Sequence, residues 1–179
     1  MKTTFVRKIS AFLLVGALAC LLCLAAFAGD LAPYAESGDM DYIPYYRVTV
    51  DPREDGSADI TYEIDWQVIG GGRDDYLSWV KIGLANAYAD ELTALTDTIS
   101  DIEYSGDGGS YAKITFAEPY YAPDIASEIG AESRVHFAFS VHQSHLFRLN
   151  ADGTADFAFT PGWFDELSVG KMEVRWRMT

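Results

Sequence analysis

Between Ala58 and Val68 the chain alternates without a break. Ile60, Tyr62, Ile64, Trp66 and Val68 are apolar, and Asp59, Thr61, Glu63, Asp65 and Gln67 between them are polar. A period of two sends successive side chains to opposite faces of a strand. This stretch therefore demands a sheet with one dry face and one wet face, and it is incompatible with a helix. The apolar row is expected in the core and the polar row in solvent.

The flanking sequence extends the pattern. Tyr46, Val48 and Val50 alternate with Arg47 and Thr49, and residues 51–57 form a turn in which Gly56 supplies a positive φ. The two strands are expected to pair as a hairpin. Further strands are predicted over 77–84, 111–116, 135–141, 146–149 and 157–159, with a last one carrying Met172, Val174, Trp176 and Met178 against Lys171, Glu173, Arg175 and Arg177. Tyr88, Leu92, Leu95 and Ile99 fall at helical spacing, which predicts one short helix near 87–99. Thr93, Thr96 and Thr98 argue against a long one. One helical turn is expected over Ile125 and Ile129, and a tight corner at 161–164. Asp55-Gly-Ser-Ala-Asp59 and Asp152-Gly-Thr-Ala-Asp156 echo each other, as hairpin turns do.

Ahead of the domain stands a leader. Lys2, Arg7 and Lys8 make a positive start. An apolar run from Ile9 to Ala28 follows, relieved only by Ser10 and Gly16, and it closes on Ala26-Phe27-Ala28, suited to cleavage before Gly29. Residues 1–28 are read as a signal peptide, 29–43 as a tether and 44–179 as the folded domain. The apolar run also approaches the roughly 20 residues of a spanning helix, so the alternative is an uncleaved N-terminal anchor. Lipidation at Cys20 is disfavoured, because Ala17 stands where lipoprotein leaders prefer Leu.

Removing the leader leaves 10 Lys and Arg against 27 Asp and Glu, a net charge of −17. Such a surface repels nucleic acid and anionic lipid, so no nucleic-acid partner is expected and membrane contact only through an uncleaved leader. Cys20 and Cys23 both lie in the leader. The domain thus has no disulfide, no thiol nucleophile and no thiolate metal site, and must rely on a packed core.

His136, His142 and His145 lie close in sequence, but 136 and 142 share a strand face that 145 leaves, and no His-Glu-x-x-His occurs. The first two are read as outward strand histidines. Asp51, Asp55 and Asp59, and Asn150, Asp152, Thr154 and Asp156, crowd two turns. Neither turn fits an EF-hand, and turn acids commonly bond their own backbone. No Gly-x-Ser-x-Gly elbow or phosphate loop is present. Glu63 and Asp65 sit on the polar row, in solvent rather than in a catalytic pair. Tyr42, Tyr45, Tyr120, Tyr121 and Trp163 lie near turns and are read chiefly as packing residues, with sugar stacking or a protein interface as the functional alternative. No catalytic, cofactor-binding or metal residue is assigned.

Asp55-Gly-Ser-Ala-Asp-Ile-Thr-Tyr-Glu-Ile64, Leu77-Ser-Trp-Val-Lys-Ile-Gly-Leu84, Phe159-Thr-Pro-Gly-Trp-Phe-Asp165 and Val174-Arg-Trp176, in that order, resemble the extracytoplasmic N-terminal domain of bacterial predicted membrane proteins of the YciQ-like group. The resemblance covers most of residues 43–179. It implies an immunoglobulin-like sandwich outside the cytoplasm and transfers no site residues, since that domain has no established activity. Those proteins continue into membrane spans, and this chain shows none after its leader. The expected fold is all-β, an antiparallel immunoglobulin-like β-sandwich of about seven to eight strands. The expected function is an exported cell-envelope or secreted module for binding or assembly, without a cofactor, acting on a protein or glycan partner. The alternatives are a carboxylate-dependent glycan hydrolase and the truncated ectodomain of a membrane protein. Two acids about 5–9 Å apart in a pocket beside exposed rings would mark the hydrolase.

Overall fold

The alternating stretch becomes β2 (Ala58–Val68), the middle strand of a five-stranded sheet, in a computed structural model that describes residues 39–157, 159–162 and 167–177. The leader and Trp163 lie outside the described residues. β1 (Asp41–Pro52) and β2 form the expected hairpin, with Thr49 opposite Thr61 and Val48 opposite Tyr62. The sheet order is β10 (Ser168–Trp176), β1, β2, β7 (Arg134–Gln143), β4 (Ala89–Ala94). A second sheet orders β3 (Leu77–Gly83), β6 (Tyr111–Tyr120), β5 (Ile99–Ser105), and β8 (Phe147–Leu149) pairs with β9 (Ala155–Phe157). The arrangement is a sandwich, mostly strand, with ten strands among the described residues where about seven or eight were expected.

The core is the apolar row read from the sequence. Ile60, Tyr62 and Ile64 are fully buried, with Trp66 and Val68 nearly so, and Val48, Val50, Phe137, Phe139 and Val141 complete the same face. The Tyr62 and Phe139 rings stack at 4.7 Å, almost parallel. Val80, Ile82, Ala112, Ile114 and Phe116 of the second sheet supply the facing layer.

Four expectations need correction. No helix forms near 87–99, where the chain makes β4 and β5. The apolar spacing marks no common buried face, because Tyr88 and Leu95 are exposed while Ile99 is buried. β4 also carries a bulge: Asp90 and Thr93 oppose His142 and Ser140, three steps against two, with Glu91 at φ 47°. The tether is shorter than read, because β1 begins at Asp41 and buries Tyr42 and Ile43. Gln67 is only 2% exposed, so the polar row leaves solvent at the end of β2. Finally, the closing strand does not form an antiparallel pair: β10 runs parallel to β1, Arg47 opposite Glu173 and Val48 opposite Val174.

The one helix among the described residues, α1 (Pro123–Ile129), falls where a helical turn was expected. Pro123 opens it with a preset φ, Asp124 meets its positive end, and Gly130 at φ 71° closes it. Among the described residues no helix is long and apolar enough to cross a membrane.

Candidate functional site

The outer face of the five-stranded sheet carries the polar row of each strand, and strand register turns those rows into pairs. Arg47 lies directly between two glutamates, opposite Glu63 on β2 and Glu173 on β10. Its Nη1 reaches Glu63 Oε2 at 2.6 Å and its Nε reaches Glu173 Oε2 at 3.4 Å. Asp65 opposes His136, with 2.7 Å between carboxylate and Nδ1, and Asp59 opposes His142 at 2.8 Å. Asp59 also takes the Arg53 guanidinium. Burial works to raise the Asp59 carboxyl, but the bonds from His142 and Arg53 outweigh it and hold the group below its ordinary value.

Glu173 is the hub of this face. Lys171 Nζ approaches at 2.6 Å, Arg175 Nη2 at 2.8 Å, and the Tyr45 hydroxyl donates at 2.9 Å. The Lys171 ammonium first, then the Tyr45 hydroxyl, push its carboxyl down to about 2. The Tyr45 ring also lies under the Arg47 guanidinium, 4.9 Å from ring centre to cation.

Between these pairs and the β4–β5 connection lies a groove of about 580 Å³. Arg47, Thr49, Thr61, Glu63, Arg175 and Arg177 line it on the sheet side, and Leu95 and Thr96 wall the other. Threonine hydroxyls hold that wall in place. Thr98 Oγ1 donates to the His136 carbonyl at 2.9 Å, and the Ala138 N–H donates to Thr96 Oγ1 at 3.2 Å. Two of the three threonines that argued against a long helix here, Thr96 and Thr98, thus tie the connection to β7. The groove offers three guanidinium groups and three threonine hydroxyls. Those groups suit carboxylates and sugar hydroxyls, and none is a nucleophile held by a base.

A second cavity, of about 330 Å³, sits by the start of β1 and the 70–77 loop. Asp41, Asp74, Asp75 and Tyr76 line it, and the Tyr76 ring meets Tyr121 at 5.6 Å. Burial raises the Asp41 carboxyl, against a weaker opposing hydrogen bond from Trp66. Asp75 is occupied in its own loop, accepting the Gly72 N–H at 2.9 Å.

The structure separates the other sequence candidates. His145 leaves the strand at φ 59° and packs on the Tyr88 ring, 4.2 Å away, so the three histidines do not converge. Asp55 accepts from the N–H and hydroxyl of Ser57 at 3.0 and 2.6 Å, and Asp152 does the same with Thr154 at the same distances. The two echoing sequences are the same turn built twice, and their acids are held below ordinary values by those bonds. Among the described residues no three His, Cys, Asp or Glu side chains are placed to hold a metal. Tyr42 and Tyr120 are buried, while Tyr45 joins the outer face. Sequence reasoning passed over Arg47, Arg175 and Arg177. The available signal was their concentration: with Lys171 they make four of the ten cations outside the leader, all in β1 and in the stretch 171–177.

No family model and no curated protein matches this chain. Among solved structures it is similar to an M1 zinc metallopeptidase from Deinococcus radiodurans, with TM-score 0.38, 8% identity and coverage of 60% of this chain and 21% of that one. It is also similar to yeast LTA4 hydrolase, with TM-score 0.40, 8% identity and coverage of 75% and 21%. The chain spans about a fifth of the length of these proteins.

Proposed function

We propose that this chain is an exported β-sandwich module of the cell envelope that binds or assembles with a protein or glycan partner and performs no catalysis. The observation that carries the reading is the groove on the outer sheet face, where Arg47, Arg175 and Arg177 gather on an otherwise strongly acidic protein. Paired charges on a rigid sheet give a preorganised surface that a ligand can engage by exchanging partners. The basic, apolar leader supports delivery outside the cytoplasm, and the YciQ-like resemblance supports the same location. The test is an array of acidic and neutral oligosaccharides and of peptides, probed with the full chain and with Arg175→Ser. Binding that Arg175→Ser abolishes supports the reading. Binding that survives it moves the partner to another surface, and no binding at all overturns it.

A second reading has one observation in its favour. The smaller cavity gathers Asp41 and Asp74 beside the exposed Tyr76 ring, and a carboxyl raised by burial is the form a general acid takes. Under this reading the chain is a carboxylate-dependent glycan hydrolase. Turnover on a glycan panel that disappears in Asp41→Asn, with folding intact, would establish it. A silent panel removes it.

A further inference from the structure

We infer that the open edge of β10 is the seam of a two-fold dimer, in which β10 pairs antiparallel with β10 of a second copy about Val174. Among the described residues β10 has a strand neighbour on one side only, β1. Among the other edges of the two main sheets, β3 runs only seven residues and loses register between Leu77 and Trp79, where the extra residues belong to β6. β4 and β5 each carry an extra residue of their own, between Asp90 and Thr93 and between Ile99 and Asp101. Bulges of this kind blunt an edge against further pairing. β10 runs nine residues with no proline and an unbroken register against β1.

The backbone of this edge is aimed outward at a definite set of residues. The Arg177 N–H donates to the Val50 carbonyl. In a parallel pair alternate residues face the neighbour, so Glu173 and Arg175 also turn their N–H and C=O groups to β1. Those of Met172, Val174 and Trp176 point away from it. The same three residues carry an apolar row that the fold leaves half covered, 38, 41 and 42% exposed. Tyr46, Val48 and Val50, beside them on β1, are at 1% or less.

An antiparallel partner centred on Val174 answers both features. Val174 faces its own copy, Met172 faces Trp176, and each such pair exchanges its outward N–H and C=O groups. The apolar rows then run on across the seam. On the other face Glu173 meets Arg175 of the second copy, twice by symmetry. Lys171 meets Arg177 only at the solvent-exposed ends. A shift of one residue either way sets Glu173 or Arg175 opposite itself, and like charges directly opposed destabilise a sheet. A pairing centred on Met172 sets Trp176 against Ser168 and Val174 against Gly170, and loses the apolar pairs. The Val174 register joins two five-stranded sheets into one and brings both grooves to the same face across the seam. It holds whether or not the groove binds the proposed partner.

Light scattering on the full chain, purified with its leader, should report a dimer. Val174→Pro removes only an N–H that faces away from β1, and Val174→Lys places a charge at the two-fold axis. Both should leave no detectable dimer, with an unchanged circular dichroism spectrum. With Cys20 and Cys23 replaced by serine, Val174→Cys should form a disulfide-linked dimer on mild oxidation. Residues in a hydrogen-bonded antiparallel pair lie about 5.5 Å apart at Cα, within disulfide reach. Met172→Cys should not cross-link. A monomer at every concentration overturns the proposal. So does a dimer that survives both the Pro and Lys variants, or cross-linking through Met172→Cys as readily as through Val174→Cys.

Discussion

The two faces of the five-stranded sheet are built from the same strands and held by different physics. On the inner face Val48, Val50, Ile60, Tyr62, Ile64, Phe137, Phe139 and Val141 are all at 1% exposure or less. On the outer face the paired groups stay partly open to water: Arg47 at 26%, Glu63 at 33%, His136 at 56% and Asp65 at 46% of their side-chain surface. Burying apolar surface stabilises by roughly 25 cal/mol per Å², whereas an exposed ion pair contributes about 0–1 kcal/mol. The inner face therefore carries the stability of the sheet. The outer face is ordered by register, and its paired charges stay partly open to solvent.

Substitutions can test that contrast. Phe139→Ala and Trp66→Ala, on the inner face, should each cost about 3–5 kcal/mol through lost burial and a residual cavity, read from denaturant unfolding midpoints. A cost near that of a surface change would break the comparison. Gly170→Ala comes next. Gly170 lies on β10, where an added Cβ would meet the Tyr42 hydroxyl and the Pro44 carbonyl. Overpacking of this kind costs about 1–3 kcal/mol, and the loss should appear as a lower thermal midpoint.

The acid limb of stability sharpens the contrast from the outer face. Glu173 titrates at about 2 in the folded chain against an ordinary 4.5. A depressed carboxyl contributes stability that is fully present above its unfolded value and lost as pH falls through the folded one. The contribution of Glu173 is thus lost between about pH 4.5 and 2. Over that window the unfolding midpoint of Glu173→Gln should fall less steeply than that of the unaltered chain. An identical slope would remove Glu173 as the hub. The smallest effect belongs to Asp65→Asn. It breaks the pair with His136 at an exposed site and should change stability by only about 0–1 kcal/mol, measured in the same denaturant series.

What the sequence made legible is what depends on neighbours along the chain. The row Ile60 to Val68 names the buried face of β2, and the turn through Gly56 names its hairpin partner. The echo of Asp55-Gly-Ser and Asp152-Gly-Thr announced two turns of one design. The misreading of 87–99 came from counting apolar positions alone: Tyr88 and Leu95 are exposed, so their spacing with Leu92 and Ile99 marks no buried face. The groove was not legible at all. Arg47 and Glu173 are 126 residues apart, and nothing local says that the last described strand lies parallel beside the first. Gln67 keeps the polar alternation in sequence while the fold has already closed over it.

That parallel closure has a kinetic side. The pairs between β1 and β10 span well over a hundred residues, and contacts of such long sequence separation are slow to form because a large loop must be ordered first. Until Ser168–Trp176 has been synthesised and delivered, β1 can pair with β2 but its other edge has no mate. Tyr45 and Arg47 then lack the carboxylate they share in the finished sheet. The five-stranded sheet is therefore completed last at the strand that begins it, and a chain halted before residue 168 would present β1 as a bare, association-prone template.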